Sequence, residues 1–369
     1  MGYENRQDLY RRIEEQRGRP LISYVTSIRP GLSGNMAGDA IEHIIAQIRL
    51  IPKEQEEIDF LIISNGGDPI TSLRIVSLLR ERFKRISVIV PYVAYSAATI
   101  LSLGADEIIM HPYSNLGPVD PQLTVSKQMD NGQPSQLQFS SEDIRNYIEF
   151  VRSDVGITDQ DHLTTAFNAL AKEVGPLPIG SAKRSQQLSL SLSEKMLETH
   201  MDDKSKAIAI SKALNSSYFH HGYAVGRTEA KNIGLNVICP DEQLEELMWA
   251  VWSDYSSEMK CGREFNIIAE VMSNPASAAQ INSIPVVDLP ANTPPQIAQG
   301  IIANVAQNTG ITIRKTLEIS ELIAAIESVR MGEHVHTKFS IAYWRDPNMA
   351  LGFNATGYSD GWQTIGGEA

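Results

Sequence analysis

The chain has 369 residues, of which 42% are hydrophobic, and its formal net charge is −12. This length and apolar content suffice for one sizeable α/β core with a smaller accessory unit, and they exclude a disordered or fibrous chain. The protein is acidic and lacks the stripe of basic residues that binding to a phosphate backbone requires. We therefore expect no nucleic-acid partner.

The first residues give a prediction of location. Residues 1–19 are dense in charge and lack the apolar core of a signal peptide, and no later run approaches the ~20 apolar residues that would span a bilayer. We therefore expect a cytoplasmic protein without a membrane span. The two cysteines, Cys239 and Cys261, have neither metal-site spacing nor the density of a disulfide framework, and we interpret them as buried thiols.

The first part of the chain alternates between helix and strand patterns. A polar helix is predicted over residues 4–16, a strand over 21–26, and a helix over 36–50. Short apolar runs at 58–63, 86–91 and 107–110 are typical of buried parallel strands. Helices are predicted between them, at 69–83 after the possible cap Asp68, and at 96–103. This order predicts a parallel sheet with right-handed crossovers.

The rest of the chain changes character. Residues 141–215 favour helices with a glycine–proline turn at 175–180, and helices at 227–233 and 241–255 close a first domain of residues 1–272. Five prolines within 274–295 indicate a linker over 273–297. Residues 298–369 are predicted as a small α+β unit, with strands at 311–314 and 338–343 and a helix at 317–329.

The glycine pair Gly66-Gly67 lies in the turn where the buried strand at 58–63 ends. Residues without Cβ let backbone N–H groups approach a substrate carbonyl closely. Acyl transfer needs such donors for the oxyanion of its tetrahedral intermediate. We interpret the pair as a candidate oxyanion hole, with a purely structural turn as the alternative.

Ser96 lies in a run of small residues between a predicted strand and a predicted helix. This location exposes a hydroxyl at the positive end of a helix dipole, where the N–H of Ala97 would be a further oxyanion donor. Ser96 could instead be an N-cap serine. Its combination with the glycine pair favours a nucleophile.

Several motifs follow in a fixed order: SNGG at 64–67, AYSAA at 94–98, GADEIIM at 104–110 and LGPVDPQL at 116–123. This series resembles the signal peptide peptidase A and Clp protease superfamily and, more closely, the serine dehydrogenase proteinase family. The likeness extends through HGY at 221–223 and EAKNIGL at 229–235 to about residue 240. It implies a ClpP/crotonase-like α/β fold and a serine peptidase that acts on protein or peptide substrates, needs no cofactor or metal, and assembles as a homo-oligomer.

The resemblance leaves the general base open. Clp proteases use a histidine after the nucleophile, but the aligned position here is Val119, and His111 lies several residues earlier. Signal peptide peptidase relatives use a lysine from a later segment, and Lys183 in GSAKRS at 180–185 resembles it. The resemblance therefore implies a Ser96–Lys183 dyad, with His111 or Asp120 as an alternative base or orienting group.

Each candidate base also has a structural interpretation. A lysine has an ordinary pKa of about 10.4, so a catalytic lysine needs burial away from water and carboxylates to be neutral. Lys183 could instead be solvated at a helix start, His111 could be a packing residue, and Asp120 could hold the turn at 118–121.

Two other functions stay open. A crotonase-like acyl-CoA enzyme would need an acidic residue in the cleft and basic residues for the CoA phosphates, and the sequence shows no convincing set. A catalytically silent scaffold would keep the fold and bind a partner through its C-terminal unit. His334 and His336 could share a strand face and ligate a metal, but without an evident third ligand we expect none.

Overall fold

A computed structural model describes residues 2–128, 134–216, 222–284, 286–346 and 349–365. The helices are α1 (Tyr3–Arg17), α2 (Ala40–Arg49), α3 (Pro69–Arg82), α4 (Ala97–Leu103), α5 (Ser141–Glu149), α6 (Gln160–Val174), α7 (Pro176–Leu197), α8 (Lys204–Ser216), α9 (Arg227–Asn232), α10 (Glu242–Glu258), α11 (Ile267–Ser273), α12 (Pro275–Asn282) and α13 (Pro295–Thr309), with a π-helical turn at Phe150–Asp154.

The strands are β1 (Leu21–Thr26), β2 (Ile28–Arg29), β3 (Leu32–Ser33), β4 (Glu57–Ile63), β5 (Arg85–Val90), β6 (Val93–Ala94), β7 (Glu107–Met110), β8 (Asn115–Leu116), β9 (Leu123–Gln128), β10 (Pro134–Phe139), β11 (Val225–Gly226), β12 (Val237–Ile238), β13 (Lys315–Glu327), β14 (Gly332–Arg345) and β15 (Leu351–Ile365). Eight of them form the main sheet, in the order β12-β7-β5-β4-β1-β13-β14-β15. The five strands from β12 to β1 are parallel, which confirms the predicted α/β sheet.

The parallel strands are covered on both faces. Along β4, Phe60 and Ile62 pack into one apolar core with α2, α3, α4, α7 and α8, whereas Leu61 and Ile63 pack into a second core with α1 and α10. Because neighbouring side chains of a strand point to opposite faces, a strand buried on both sides is apolar throughout. This two-sided burial explains the apolar run at 58–63, which is interrupted only by Asp59.

The C-terminal strands continue the same sheet. β13 pairs antiparallel with β1, with Ser23 opposite Glu327, and β14 and β15 follow as antiparallel neighbours. The predicted helix at 317–329 is therefore wrong, because these residues form a strand held by backbone pairing to β1 and β14. Residues 315–365 are joined to the first domain by sheet hydrogen bonds as well as by the chain.

Prolines of the predicted linker begin helices. Pro275 is the first residue of α12, and Pro295 is the first residue of α13. Proline is favourable there because the missing N–H would have no helical acceptor. α11 and α12 pack against the C-terminal strands, with Val271 and Ile281 buried beside Ile341 and Tyr343.

A buried ionic contact joins the two ends of the chain. Arg6 of α1 is fully buried, and its Nε and Nη2 donate to the Glu327 carboxylate at 2.9 and 2.7 Å. His334 Nε2 lies 2.6 Å from the same carboxylate. Burial alone would raise the pKa of Glu327, but the hydrogen bonds from Arg6 and His334 lower it to about 2.

A helical arm projects from the parallel half of the sheet. We use this name for β9, β10, α5, α6 and the first half of α7. Its small apolar cluster, separate from the two cores, buries Phe139, Val174 and Ala182. The second half of α7 packs against α4, so the arm is connected to the helix that follows Ser96.

The structure also bears on the predictions about a membrane span and about the two cysteines. No helix in the described ranges is both long and apolar enough to cross a bilayer. Cys261 is partly buried, but Cys239 is exposed, so the prediction of two buried thiols is wrong for Cys239.

Candidate active site

Ser96 lies on a strained turn between β6 and α4. Its φ of 50° and ψ of −114° fall in a region that residues with a Cβ rarely adopt. The half-buried side chain makes no capping hydrogen bond to α4. A serine on a sharp strand-to-helix turn presents its hydroxyl outward, as a nucleophile requires.

Side-chain hydroxyl groups form hydrogen bonds to the backbone on either side of this turn. Thr99 Oγ1 donates to the carbonyl of Ala94 at 2.7 Å, and Ser72 Oγ donates to the carbonyl of Ala97 at 2.6 Å. Both hydroxyls are buried, so each satisfies a carbonyl that water cannot reach. These bonds maintain the strained conformation of Ser96.

The glycine turn lies directly against the nucleophile. Gly66 and Gly67 have φ values of 105° and 149°. A Cβ on Gly66 would lie 2.7 Å from the carbonyl oxygen of Tyr95 and 2.8 Å from Ser96 Cβ. A Cβ on Gly67 would lie 2.3 Å from the carbonyl oxygen of Met36. Only glycine therefore permits this close approach at both positions.

Two backbone N–H groups are available beside Ser96. The N–H of Gly66 already donates to Ser64 Oγ at 3.0 Å. Within the described residues, the N–H groups of Gly67 and Ala97 donate to no backbone or side-chain acceptor. Gly66 thus supplies room, while Gly67 and Ala97 are the candidate oxyanion donors.

Ser64 is a residue that the sequence analysis did not single out. Ser64 directly follows the apolar run of β4. It forms a bridge to Ala94 through the N–H groups of Ser64 and Tyr95. Its hydroxyl is hydrogen bonded to Thr26 Oγ1 at 2.7 Å. Its hydroxyl therefore couples β1, the glycine turn and the Ser96 elbow. A serine between an apolar run and a glycine pair is the signal that could have identified it.

Lys183 is not hydrogen bonded to Ser96 in this conformation. It is exposed on α7, and its Nζ donates to Gln186 Oε1 at 3.3 Å. Gln186 also donates to the Glu142 carboxylate, so Lys183 lies one side chain away from an acidic group. The structure brings Gly66, Gly67, Ala97 and Ser96 together and leaves Lys183 in the helical arm.

His111 is packed among aromatic rings at the end of β7. Its side chain is 4% exposed, its ring centroid lies 5.1 Å from that of Trp249, and Nδ1 accepts a hydrogen bond from the N–H of Tyr113 at 3.1 Å. Burial lowers its pKa. No hydrogen bond of the described chain joins it to Ser96, so its contacts match a packing role.

Asp120 lies at the base of the helical arm. Its Oδ2 accepts from Gln122 Nε2 at 2.8 Å, and its buried Oδ1 has no partner among the residues described. Burial, followed by the charges of Asp143 and Glu142, raises the pKa of Asp120 to about 6. A carboxyl in this environment carries its proton more readily than an exposed one.

The other histidines do not form a metal site in the described residues. His334 is bound to Glu327, and no group of three or more histidine, cysteine or acidic side chains could hold a metal within the ranges described. His221, from the HGY motif, lies outside the described residues.

The sequence of the parallel half of the sheet matches a known family. Residues 3–131, which carry the glycine turn, the Ser96 elbow and the four strands β1, β4, β5 and β7, match the family of ClpP-like SDH-type serine proteinases. The match confirms the resemblance drawn from the motifs over this part of the chain.

Two uncharacterized proteins of Methanocaldococcus jannaschii are similar to this chain. MJ1495 is 27% identical over 233 residues, which are 62% of this chain and 69% of that protein. MJ0137 is 27% identical over 219 residues, 59% of this chain and 65% of that protein. The chain thus spans about two thirds of the length of these relatives.

Two solved protease structures are similar to part of this chain. A mutant of the 1510-N membrane-bound stomatin-specific protease is 13% identical, with 61% of this chain and 82% of that chain covered and a TM-score of 0.36. ClpP1 from Listeria monocytogenes is 12% identical, with 64% and 99% covered and a TM-score of 0.32. At these values the likeness carries no information on substrate or activity.

Proposed function

We propose that this chain is a serine peptidase that hydrolyses peptide bonds through an acyl-enzyme on Ser96. One observation carries the proposal: Ser96 is held at φ 50° on a strand-to-helix turn, beside the two unengaged N–H groups of Gly67 and Ala97. This arrangement supplies a nucleophile and a pair of oxyanion donors, two of the three parts that acyl transfer needs.

The reaction follows from these positions. An extended peptide laid along the glycine turn would direct its carbonyl oxygen at Gly67 and Ala97. Ser96 Oγ attacks the carbonyl carbon while the base takes its proton, and the two N–H groups stabilise the oxyanion. The C–N bond then breaks, the base protonates the leaving amine, and water hydrolyses the ester on Ser96.

Lys183 is the proposed base, with Asp120 or His111 as the alternative base or orienting group. Because Lys183 Nζ bonds Gln186, this role requires the helical arm to bring the first half of α7 toward the elbow. We propose that substrate binding or assembly into a homo-oligomer brings about this movement. A cytoplasmic location and the absence of a cofactor are part of the same proposal.

The test is cleavage of a library of unstructured peptides, followed by mass spectrometry from about pH 6 to about pH 10, a range that includes the deprotonation of a perturbed lysine. Ser96→Ala and Lys183→Ala are compared with Lys172→Ala, a matched change of an exposed lysine on α6. We expect cleavage by the wild type and by Lys172→Ala, and none by the other two.

Other outcomes separate the parts of the proposal. Loss of cleavage in Ser96→Ala alone would assign the base to another residue. A wild type that neither cleaves peptides nor reacts with a fluorophosphonate probe would contradict the peptidase.

A catalytically silent scaffold is the second candidate. It is favoured by the hydrogen bond of Lys183 to Gln186 on the helical arm, because this lysine is not bonded to Ser96. An unreactive Ser96 would support it.

A further inference from the structure

A cleft of about 760 Å³ opens between the helical arm and the end of α8, and residues of α5, α7 and α8 line it. Four aliphatic side chains line it: Ile144, Ile148, Ile179 and Leu190. All four are only partly buried, so they offer apolar surface to an occupant.

The rim of the cleft is basic in an otherwise acidic protein. Arg145, Lys183 and Lys212 line it together with one carboxylate, Glu142, and the chain has a net charge of −12. Glu142 lies 3.5 Å from Arg145, whereas Lys212 forms no ion pair within the ranges described. The cleft therefore attracts a negative group.

Asn215 lies deep in the cleft with an unused acceptor. Its side chain is 3% exposed, and its Nδ2 donates to the carbonyl of Ser211 at 2.8 Å, which fixes the orientation of the amide. Its Oδ1 is buried and finds no hydrogen-bond donor among the described residues. A buried acceptor without a donor is unfavourable, so an occupant that brings an N–H group would be stabilised here.

The cleft is also connected to the elbow. The N–H of Val119 donates to the carbonyl of Leu214, the residue before Asn215. β8 precedes Val119 in the chain and pairs with β6, with Leu116 opposite Ala94. The end of α8 that lines the cleft is therefore linked through Val119 and β8 to β6, the strand before Ser96.

We propose that this cleft binds a peptide segment that carries both aliphatic side chains and carboxylates. A peptide meets all three demands, since its backbone N–H can donate to Asn215 Oδ1, its aliphatic side chains fit the isoleucines, and its carboxylates pair with Lys212. A fatty acid would satisfy the apolar wall and the cations but bring no N–H donor. The inference rests on the proposed peptidase only for the view that such a peptide is a substrate.

Binding is measured by fluorescence anisotropy on the full-length Ser96→Ala protein, which removes cleavage. The probe is a labelled, N-acetylated peptide of alternating leucine and glutamate. Lys212→Glu should weaken binding about tenfold or more, whereas Lys172→Glu, the same change on the exposed face of α6, should alter it less than about twofold. Added salt should weaken binding to the unchanged cleft.

Changes to Asn215 and to the peptide sequence provide further tests of the proposal. Asn215→Asp keeps an acceptor at the same place, so it should bind the probe better than Asn215→Leu once circular dichroism shows that both are folded. Peptides with lysine in place of glutamate, or serine in place of leucine, should each bind about tenfold more weakly or worse, because they lose one of the two contacts.

Several outcomes would overturn the proposal. These are equal effects of Lys212→Glu and Lys172→Glu, undiminished binding of the serine peptide, or equal binding by Asn215→Asp and Asn215→Leu. Displacement of the probe by dodecanoate at similar affinity would assign the cleft to an acyl chain instead. If Ser96→Ala binds the probe but the wild type cleaves no peptide, the proposed peptidase activity would be contradicted. The assignment of the cleft as a peptide-binding site would still hold.

Discussion

Ser96 stores backbone strain where the proposed chemistry takes place. A non-glycine residue at its φ of 50° costs on the order of 1–3 kcal/mol, which buried hydrogen bonds on both sides of the turn must offset. Ser96→Gly should therefore be more stable than Ser96→Ala by roughly 1 kcal/mol, although both lack the hydroxyl. Urea unfolding of the two variants measures the difference. A less stable Ser96→Gly would show that the turn is not strained.

The raised pKa of Asp120 predicts that the stability of the protein depends on pH. Burial raises its pKa from an ordinary 3.8 to about 6, so the native state holds the proton more tightly than the unfolded state does. Its contribution to stability is therefore present at low pH and is lost as the pH rises from about 4 to about 6. Asp120→Asn cannot ionise, so it should match the wild type near pH 4 and be more stable near pH 8.

Thermal unfolding of both proteins at the two pH values tests this expectation. A variant less stable than the wild type near pH 8 would mean that the charged carboxylate has a native partner. Such a result would favour the orienting role of Asp120 over the turn role.

At the residue scale, the sequence was informative where the signal is local. The glycine pair and Ser96 lie just after apolar strands, and the structure brings them together because Ser64, which follows β4, pairs with Ala94 of β6. The engagement of the Gly66 N–H by Ser64 could not be predicted, since it depends on the rotamer of a buried hydroxyl. Which lysine or histidine serves the nucleophile depends on packing between distant segments.

Among the elements, α1 and β13 are coupled by a fully buried charge pair. Removing one partner of such a pair leaves an uncompensated charge, which costs about 3–5 kcal/mol. Glu327→Gln should therefore lower the free energy of unfolding by about 3 kcal/mol, because Arg6 keeps Asp254 and Glu258 as partners. Glu318→Gln, an exposed carboxylate on the same strand, is the control and should change stability little.

Urea unfolding near pH 7 provides the measurement. The pKa of Glu327 is lowered to about 2, so its stabilising contribution is present above about pH 4.5 and is lost as the pH falls toward about 2. Equal stability of Glu327→Gln and Glu318→Gln would contradict the coupling.

The elements of the parallel half could be predicted because burial on both faces produces apolar runs and small-residue helices. β13 could not, since Leu317 and Ile319 have the spacing of a strand face whereas Ile319 and Leu322 have the spacing of a helix face. Its assignment as a strand depends on pairing with β1, which begins almost 300 residues earlier in the chain. Local patterns do not contain such pairings.

For the whole molecule, the continuous sheet makes the C-terminal region a structural partner of the first domain. A chain ending at residue 297 would expose the edge of β1 and leave Arg6 without Glu327. We expect it to be insoluble or to lack a cooperative unfolding transition, whereas a chain ending at residue 365 should fold. Circular dichroism and thermal unfolding of both distinguish these results. A native-like transition for the shorter chain would show that the predicted C-terminal unit is separable.

The helical arm separates the nucleophile from the proposed base at the scale of the molecule. The resemblance implied a Ser96–Lys183 dyad, and the structure has Lys183 on an exposed face of α7. The arm contains its own small cluster and continues into the second half of α7, where Ser189 donates to the carbonyl of Val119. The proposed movement of this arm is a step that sequence patterns could not describe.

The nucleophilic role of Ser96 is the central claim, and covalent labelling tests it most directly. Purified protein is incubated with a fluorophosphonate probe, digested, and mapped by mass spectrometry, with Ser96→Ala beside it. We expect one label on the wild type, on the peptide that contains Ser96, and none on the variant. A wild type that stays unlabelled at Ser96, or a Ser96→Ala protein that still cleaves peptides, would contradict the account.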